Sequence, residues 1–209
     1  MMKAKAMIFL VDDDASVRKG LTRLMSSAGY ASESFESAEA FLRRERHAGP
    51  ACLVLDMQMP QVTGMELQER LEGLGYHLPV IFLTGYGTIP QTVRALKQGA
   101  LNFFSKPVDD GVLLESIKEA LACSEQWLAA AQEKAAVLQR VKLLTAREFE
   151  VMRLVISGVL NKQIAAHLGI SLRTVKTHRG QVMAKMAILS VAELVRHCET
   201  TGIKPLAAP

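Results

Sequence analysis

The chain has 209 residues, 49% of them apolar, with 25 Lys+Arg against 21 Asp+Glu and a formal net charge of +4. That length suits one large domain or two modest ones, and an apolar-rich composition of mixed charge excludes a disordered or fibrous chain. No apolar run approaches the roughly 18 residues that span a bilayer, residues 1–7 lack a signal-peptide pattern, and Cys52, Cys123 and Cys198 have neither disulfide-framework density nor metal spacing, so a cytoplasmic globular protein is expected.

Residues 1–124 alternate short apolar runs with amphipathic stretches, the pattern of a parallel α/β sheet. The pattern predicts strands at Met7–Val11, Ala31–Phe35, Cys52–Leu55, Val80–Leu83 and Leu101–Phe104. Helices are predicted at Ala15–Ala28, Ser37–His47, Gly64–Leu74, Thr88–Gln98 and from about Asp109 onward. These units fit a flavodoxin-like (βα)5 fold with parallel strand order 2-1-3-4-5, whose ligand crevice lies at the carboxyl ends of the central strands.

The fifth helix does not stop where a compact domain would end it. No Gly or Pro interrupts Val112 to Gln139, and apolar or small residues recur from Leu113 and Ile117 through Trp127 and Leu128 to Leu138. This stripe suits either a helical partner or packing within the chain. The expected plan is an α/β domain at 1–121, a linker helix at 122–142 continuous with the fifth helix, and an all-α domain at 143–209.

From Leu143 the pattern is purely helical. Thr145 and Glu148 form a capping box flanked by Leu144 and Phe149 as a hydrophobic staple, and Gly158 ends that first helix near Ser157. Asn161 is read as the cap of a short helix, Lys162–Leu168; after Gly169, Ser171 caps a third helix to about Met186, and Ser190 starts a fourth that ends near Gly202. The tail is basic: residues 141–209 hold 10 Lys+Arg against 4 Asp+Glu, whereas residues 1–124 hold 13 against 15. A polyanion is the natural partner of such a tail.

Functional side chains cluster at predicted strand ends. Asp12, Asp13 and Asp14 leave the first strand, Asp56 ends the third, Thr84 the fourth, and Lys106-Pro107 follows the fifth. A lone Asp there is most often a helix cap, the role expected of Asp14, but carboxylates from two adjacent strands make a hard oxygen site suited to Mg²⁺ (or Mn²⁺). An ammonium and a hydroxyl beside them supply the neutralisation and hydrogen bond that a phosphoryl group on Asp56 needs.

With these residues, positions 5–121 resemble a response-regulator receiver domain. The resemblance implies that Asp56 is the phosphoacceptor, Thr84 the switch hydroxyl, Phe103 the switch aromatic and Lys106 the phosphate-contacting lysine. It also implies that Asp13, Asp56 and the backbone carbonyl of Gln58 hold Mg²⁺ with Asp12 acting through water, and that Lys106-Pro107 is cis. Gln58 and Tyr86, each two residues past a site residue, resemble tuners of the phosphoryl lifetime. Tyr86 is read equally as a bulky shield against hydrolysis or a plain surface aromatic, and Phe103 has an ordinary core role as its rival reading.

The second and third tail helices meet across Leu168-Gly169-Ile170-Ser171, a helix-turn-helix signature. On the third helix Val175, Val182 and Met186 share one face, while Arg173, Thr177, Gly180 and Ala184 lie opposite with Lys176 and Gln181 on the flanks. Such a helix suits a major groove, with Lys162, Arg173, Lys176, Arg179 and Lys185 as the cations for phosphates or bases. His178, beside the apolar face, is read as a satisfied, partly buried histidine. Residues 144–195 resemble the LuxR-type helix-turn-helix of the FixJ/NarL family through Leu144-Thr145-x-Arg147-Glu148, Asn161-Lys162-x-Ile164-Ala165 and Thr174-Val175-Lys176-x-His178, which adds Thr174 to the DNA-contacting set. Gly180 and Leu189 depart from that family, since a base-contacting side chain and an Arg are common at those positions.

Taken whole, the chain resembles the FixJ/StyR-like branch, which implies a transcription regulator controlled by a sensor histidine kinase, binding promoter DNA, working with RNA polymerase, and forming a homodimer through the receiver or the fourth tail helix. It implies no enzyme beyond slow autodephosphorylation and no membrane partner. Two other readings stand beside it: a DNA-binding regulator with a phosphorylation-independent receiver, and an aspartyl-phosphate phosphatase, against which Gln58 counts because that chemistry needs a second carboxylate there.

Overall fold

The computed structural model describes residues 5–85 and 89–206, in two compact units, Met1–Leu128 and Ala129–Pro209. The first contains β1 (Met7–Val11), α1 (Ala15–Ser27), β2 (Ala31–Phe35), α2 (Ala38–Arg43), β3 (Ala51–Asp56), α3 (Gly64–Gly73), β4 (Val80–Thr84), α4 (Ile89–Lys97) and β5 (Asn102–Ser105), and then the start of α5 (Asp110–Val141). All strands are parallel in the order β2-β1-β3-β4-β5, the expected flavodoxin-like sheet.

Strand periodicity divides the core. Phe9, Leu53, Leu55 and Phe82 face one side, against Phe41, Leu67, Leu71 and Ala95. Ile8, Leu10, Cys52, Val54, Ile81 and Leu83 face the other, against Met25, Leu113, Ile117 and Ala120. Both faces of β1, β3 and β4 are therefore buried, which is why those strands read as continuous apolar runs. Burial pushes the Cys52 thiol up to about 12, so it acts as a small hydrophobe.

Helix α2 stops at Arg43 instead of continuing to His47. Arg44 turns extended and lays its guanidinium over the rings of Phe9, Phe41 and Tyr76, a cation–π stack that a helical Arg44 would forgo.

α5 is one helix of 32 residues. Leu113, Ile117 and Ala120 enter the first core, and the buried Ser124 Oγ accepts a hydrogen bond from Ala51 N–H at 3.0 Å. Residues 129–136 are exposed on every side, so intrinsic propensity of an Ala, Gln, Glu and Lys segment sustains the helix there. Val137 then enters the second core, and Arg140 Nη1 donates to the Met186 carbonyl at 3.4 Å.

The second unit adds α6 (Ala146–Ile156), α7 (Asn161–Leu168), α8 (Leu172–Met186) and α9 (Val191–Thr201) around Val151, Met152, Leu154, Ile164, Val175, Val182, Met186 and Leu194. The Thr145–Glu148 capping box forms, and Ser171 and Ser190 cap α8 and α9. Asn161 is not the cap of α7: Leu160 holds that position and its N–H donates to Gln163 Oε1, while Asn161 Oδ1 accepts from Arg179 Nη1 at 2.6 Å. The stronger charge-assisted bond takes the asparagine oxygen. No described helix is long and apolar enough to cross a membrane.

Candidate functional site

Strand register assembles the acidic crevice. Val11 pairs with Leu55, so the next residue of each strand, Asp12 and Asp56, emerge side by side. Thr84 pairs with Ser105, which sets Lys106 one residue past the edge and across from them. The crevice lies where connections leave the sheet in opposite directions, the place where ligands bind in open α/β sheets.

Carboxylate oxygens of Asp12, Asp13 and Asp56 lie within 4.8 Å of one another. Lys106 Nζ reaches Asp12 Oδ2 at 2.6 Å and Asp56 Oδ2 at 3.2 Å. Asp56, only 7% exposed, accepts a long bond of 3.4 Å from Gln58 N–H, and Asp14 N–H donates to Asp12 Oδ1 at 2.9 Å. Burial pushes the Asp56 carboxyl above the usual carboxylate range; Lys106 opposes this and Asp12 reinforces it. Burial alone would lower Lys106, but its bond and attraction to Asp12, and then Asp56, outweigh it and hold the ammonium above its ordinary value. Three clustered carboxylates, two of them paired with this ammonium, leave a surplus of negative charge on hard oxygen donors, so the donor set fits a divalent cation.

Thr84 is fully buried at the end of β4, and its carbonyl accepts from Lys106 N–H at 2.7 Å. The Lys106-Pro107 peptide is cis. Phe103 is half-buried, its ring tilted against Phe82 with centroids 6.4 Å apart. Asp14 caps α1 as expected, accepting from Ser16 and Val17 N–H. Gln58 is exposed at the rim, and Tyr86 lies outside the described residues. Sequence reasoning missed two contributors. Arg18 Nη1 donates to the Asp12 carbonyl at 2.7 Å, a contact six residues apart that no local pattern signals. Gly64 N–H donates to the Met57 carbonyl and sits so close that a Cβ would lie 2.3 Å from the Asp56 carbonyl oxygen; a Gly directly after the Thr63 cap was its signal.

In the second unit, α7 and α8 are joined through Gly169 in the left-handed conformation, φ 64°, which glycine adopts without Cβ strain. Arg147 Nη2 donates to the Leu168 carbonyl at 2.6 Å, tying α6 to the end of α7. Val175, Val182 and Met186 are buried, while Lys162, Arg173, Lys176, Thr177, Gly180 and Gln181 are exposed. Thr174 Oγ1 pairs with Ser171 Oγ at 2.8 Å, and Thr177 Oγ1 donates to the Arg173 carbonyl at 3.1 Å. Arg179 is half-buried against Asn161. Lys185 turns inward to Glu148 Oε2 at 2.6 Å. His178 is half-buried but not satisfied as expected: its Nδ1 is buried with no partner among the described residues. Of the fourth tail helix, Leu194 and Cys198 pack the core, Val195 is half-buried and Val191 exposed; Leu189 just before it is 98% exposed.

Glu148 is 3% exposed and holds both Lys185 and the Thr145 N–H, the latter at 2.7 Å. The Lys185 bond, then the Thr145 bonds, lower its carboxyl below the usual range. A depressed acid contributes stability that is complete above the unfolded value of about 4.3 and is lost as pH falls through the folded value. Acid melting of the second unit is therefore expected to steepen below that pH in the native chain and to flatten in Glu148→Gln, as followed by circular dichroism.

A Cβ at Gly180 would meet nothing within 4 Å, so packing does not require glycine there. Gly180→Ala is expected to raise the stability of the second unit by about 0.8 kcal/mol through helix propensity, read as a higher urea midpoint with unchanged slope.

Residues 8–118 match the response regulator receiver domain, and residues 142–198 match the LuxR family of bacterial regulatory proteins. The chain is 43% identical to nodulation protein W of Bradyrhizobium diazoefficiens over 95% of its own length and 88% of that protein. It is 39% identical to the transcriptional regulatory protein FixJ of Rhizobium meliloti, covering 95% and 97%. Among solved structures, that of the response regulator StyR is similar with a TM-score of 0.80 at 44% identity, covering 94% of this chain and 99% of that one.

Proposed function

We propose, for a chain that belongs to the two-component response regulators built from a receiver and a LuxR-type DNA-binding domain, that phosphorylation of Asp56 by a sensor histidine kinase controls its binding to promoter DNA. The observation that carries this reading is the convergence of Asp12, Asp13, Asp56 and Lys106 at adjoining strand ends. An Asp56 carboxylate oxygen attacks the phosphorus of a phosphohistidine, the phosphorus–nitrogen bond breaks, and the imidazole leaves with the electron pair and takes up a proton. Lys106 Nζ neutralises the phosphoryl oxygens, and the Thr84 hydroxyl turns toward one of them while Phe103 repacks against the sheet. Asp13, Asp56 and the Gln58 carbonyl, with Asp12 beside them, would hold Mg²⁺ (or Mn²⁺), which would supply the remaining charge neutralisation.

The receiver spans residues 1–121, a helical linker 122–142 and the DNA-binding domain 143–209. Lys176, Thr177 and Gln181 read bases, and Lys162, Arg173, Thr174 and Arg179 serve the backbone, while Lys185, expected among them, is held by Glu148 instead. Homodimerisation on DNA and contact with RNA polymerase complete an activator that works in the cytoplasm and turns over no substrate beyond its own phosphoryl group.

The test is incubation with Mg²⁺ and acetyl phosphate, with the adduct read by intact mass and affinity measured for duplexes that the protein selects from a random DNA pool. The reading expects one phosphoryl group per chain and tighter DNA binding. Absence of the adduct overturns it, and an adduct with unchanged DNA affinity leaves a regulator whose receiver is not in control.

A further inference from the structure

At the amino-terminal edge of the sheet, opposite the acidic crevice, the chain's single tryptophan lines a recess of about 50 Å³. Trp127 of α5 lines it with Gln68 and Glu72 of α3, His77, Val80 at the start of β4, and Gly99 just past α4. Gln68 is 5% exposed; its Nε2 donates to the Gln98 carbonyl at 2.7 Å, and its Oε1 is buried with no partner among the described residues. Gln98 Nε2 returns a bond to Glu69 Oε1 at 2.7 Å, and Arg94 of α4 pairs with the same oxygen at 3.6 Å. The middle of α3 is thus stitched to α4 and the turn that follows it, beside the recess. Gly99 makes the turn with φ at 86°, and Leu101 N–H donates to the Val80 carbonyl at 2.8 Å.

Two mechanical links reach this recess. β4 runs from Val80, on its wall, to Thr84 in the crevice, buried at every residue, and a packed strand transmits displacement instead of absorbing it. One turn before Trp127, Ser124 bonds the start of β3, so the last receiver-bound turn of α5 is held at two points. Beyond it residues 129–136 are exposed on every side.

The geometry points to Trp127 as the positioning residue through which the receiver steers the α5 extension, its indole reading movement of the Gln98–Gly99 turn when α4 and β4 respond at Thr84. The inference rests on Asp56 being the phosphorylated switch. Removal of the indole releases the helix while leaving the crevice, at the far end of β4, intact. The indole is 43% exposed, so a small change in its seating alters its solvation and its emission.

The full-length protein is titrated with acetyl phosphate and Mg²⁺, the adduct read by mass, Trp127 by its selectively excited emission, and affinity measured for duplexes selected from a random pool. The native chain is expected to shift its emission in step with the adduct and to gain DNA affinity in the range of about 5–150-fold usual for coupled sites. Trp127→Ala is expected to accept the phosphoryl group to the same extent yet gain no more than about two-fold, with Trp127→Phe recovering most of the gain. Gln68→Met, which keeps the indole and cuts the stitch to Gln98, uncouples emission from adduct. An adduct with unmoved emission, or a native-sized gain in Trp127→Ala, overturns the inference while leaving Asp56 as the switch; no adduct in the native chain overturns both.

Discussion

Asp56→Asn is expected to accept no phosphoryl group from acetyl phosphate at any Mg²⁺ concentration, and to melt at a higher temperature than the native protein when divalent cations are removed. The amide neither attacks phosphorus as a carboxylate does nor offers an anionic metal ligand. The gain in melting temperature has the opposite origin. In the native chain burial is the largest influence on the Asp56 carboxyl, with Asp12 adding to it, and together they outweigh Lys106 and raise the pKa; an ionised Asp56 is therefore held at neutral pH at a cost. Asparagine removes that cost, and Lys106 keeps Asp12 as its partner at 2.6 Å. Added Mg²⁺ stabilises the native chain by mass action, by about 2.7 kcal/mol at a hundred times Kd, and the variant far less. Mass spectrometry and melting curves with and without Mg²⁺ check the expectation; a variant that responds to Mg²⁺ as the native chain does would remove Asp56 from the metal site.

Gly64→Ala is expected to destabilise the receiver by about 3 kcal/mol, the upper end of overpacking costs, and to slow phosphorylation of the fraction that remains folded. The new methyl would lie 2.3 Å from the Asp56 carbonyl oxygen, 3.0 Å from Phe82 Cε1 and 3.1 Å from Leu55 Cγ. The side chains are fully buried and the oxygen is backbone, so α3 or the end of β3 must move. Movement at the end of β3 shifts Asp56, the proposed phosphoacceptor, and movement of α3 alters the packing beneath it. Urea unfolding against the native chain measures the first effect and the rate of adduct formation the second. Unchanged stability would mean that α3 approaches β3 less closely than this.

Local chemistry made most of the fold legible. The strands announce themselves because both sheet faces are buried, and the caps at Thr145, Ser171 and Ser190 because side-chain oxygens beside helix starts leave a local signature. The acidic crevice was equally readable, since each member ends a strand and parallel strands put their ends on one edge. What failed locally failed to long-range contacts. α2 ends early because Arg44 finds two rings from distant segments, Phe9 and Tyr76, and Asn161 leaves its cap position because Arg179, eighteen residues on, binds its oxygen. Lys185 counted as a free cation until Glu148, thirty-seven residues away, drew it inward.

The sequence by itself determined that Asp12, Asp13, Asp56, Thr84 and Lys106 share one crevice and that a basic helix-turn-helix follows a helical linker, because spacing along the chain decides which strand or helix end a residue occupies. The tertiary structure alone decided which cations remain exposed in the basic domain, that Gly64 presses on Asp56, and that Trp127 lines a recess at the far edge of the sheet. Those facts depend on which side chains meet across segments distant in the chain, where burial, desolvation and close packing set the energies and no periodicity records the partner.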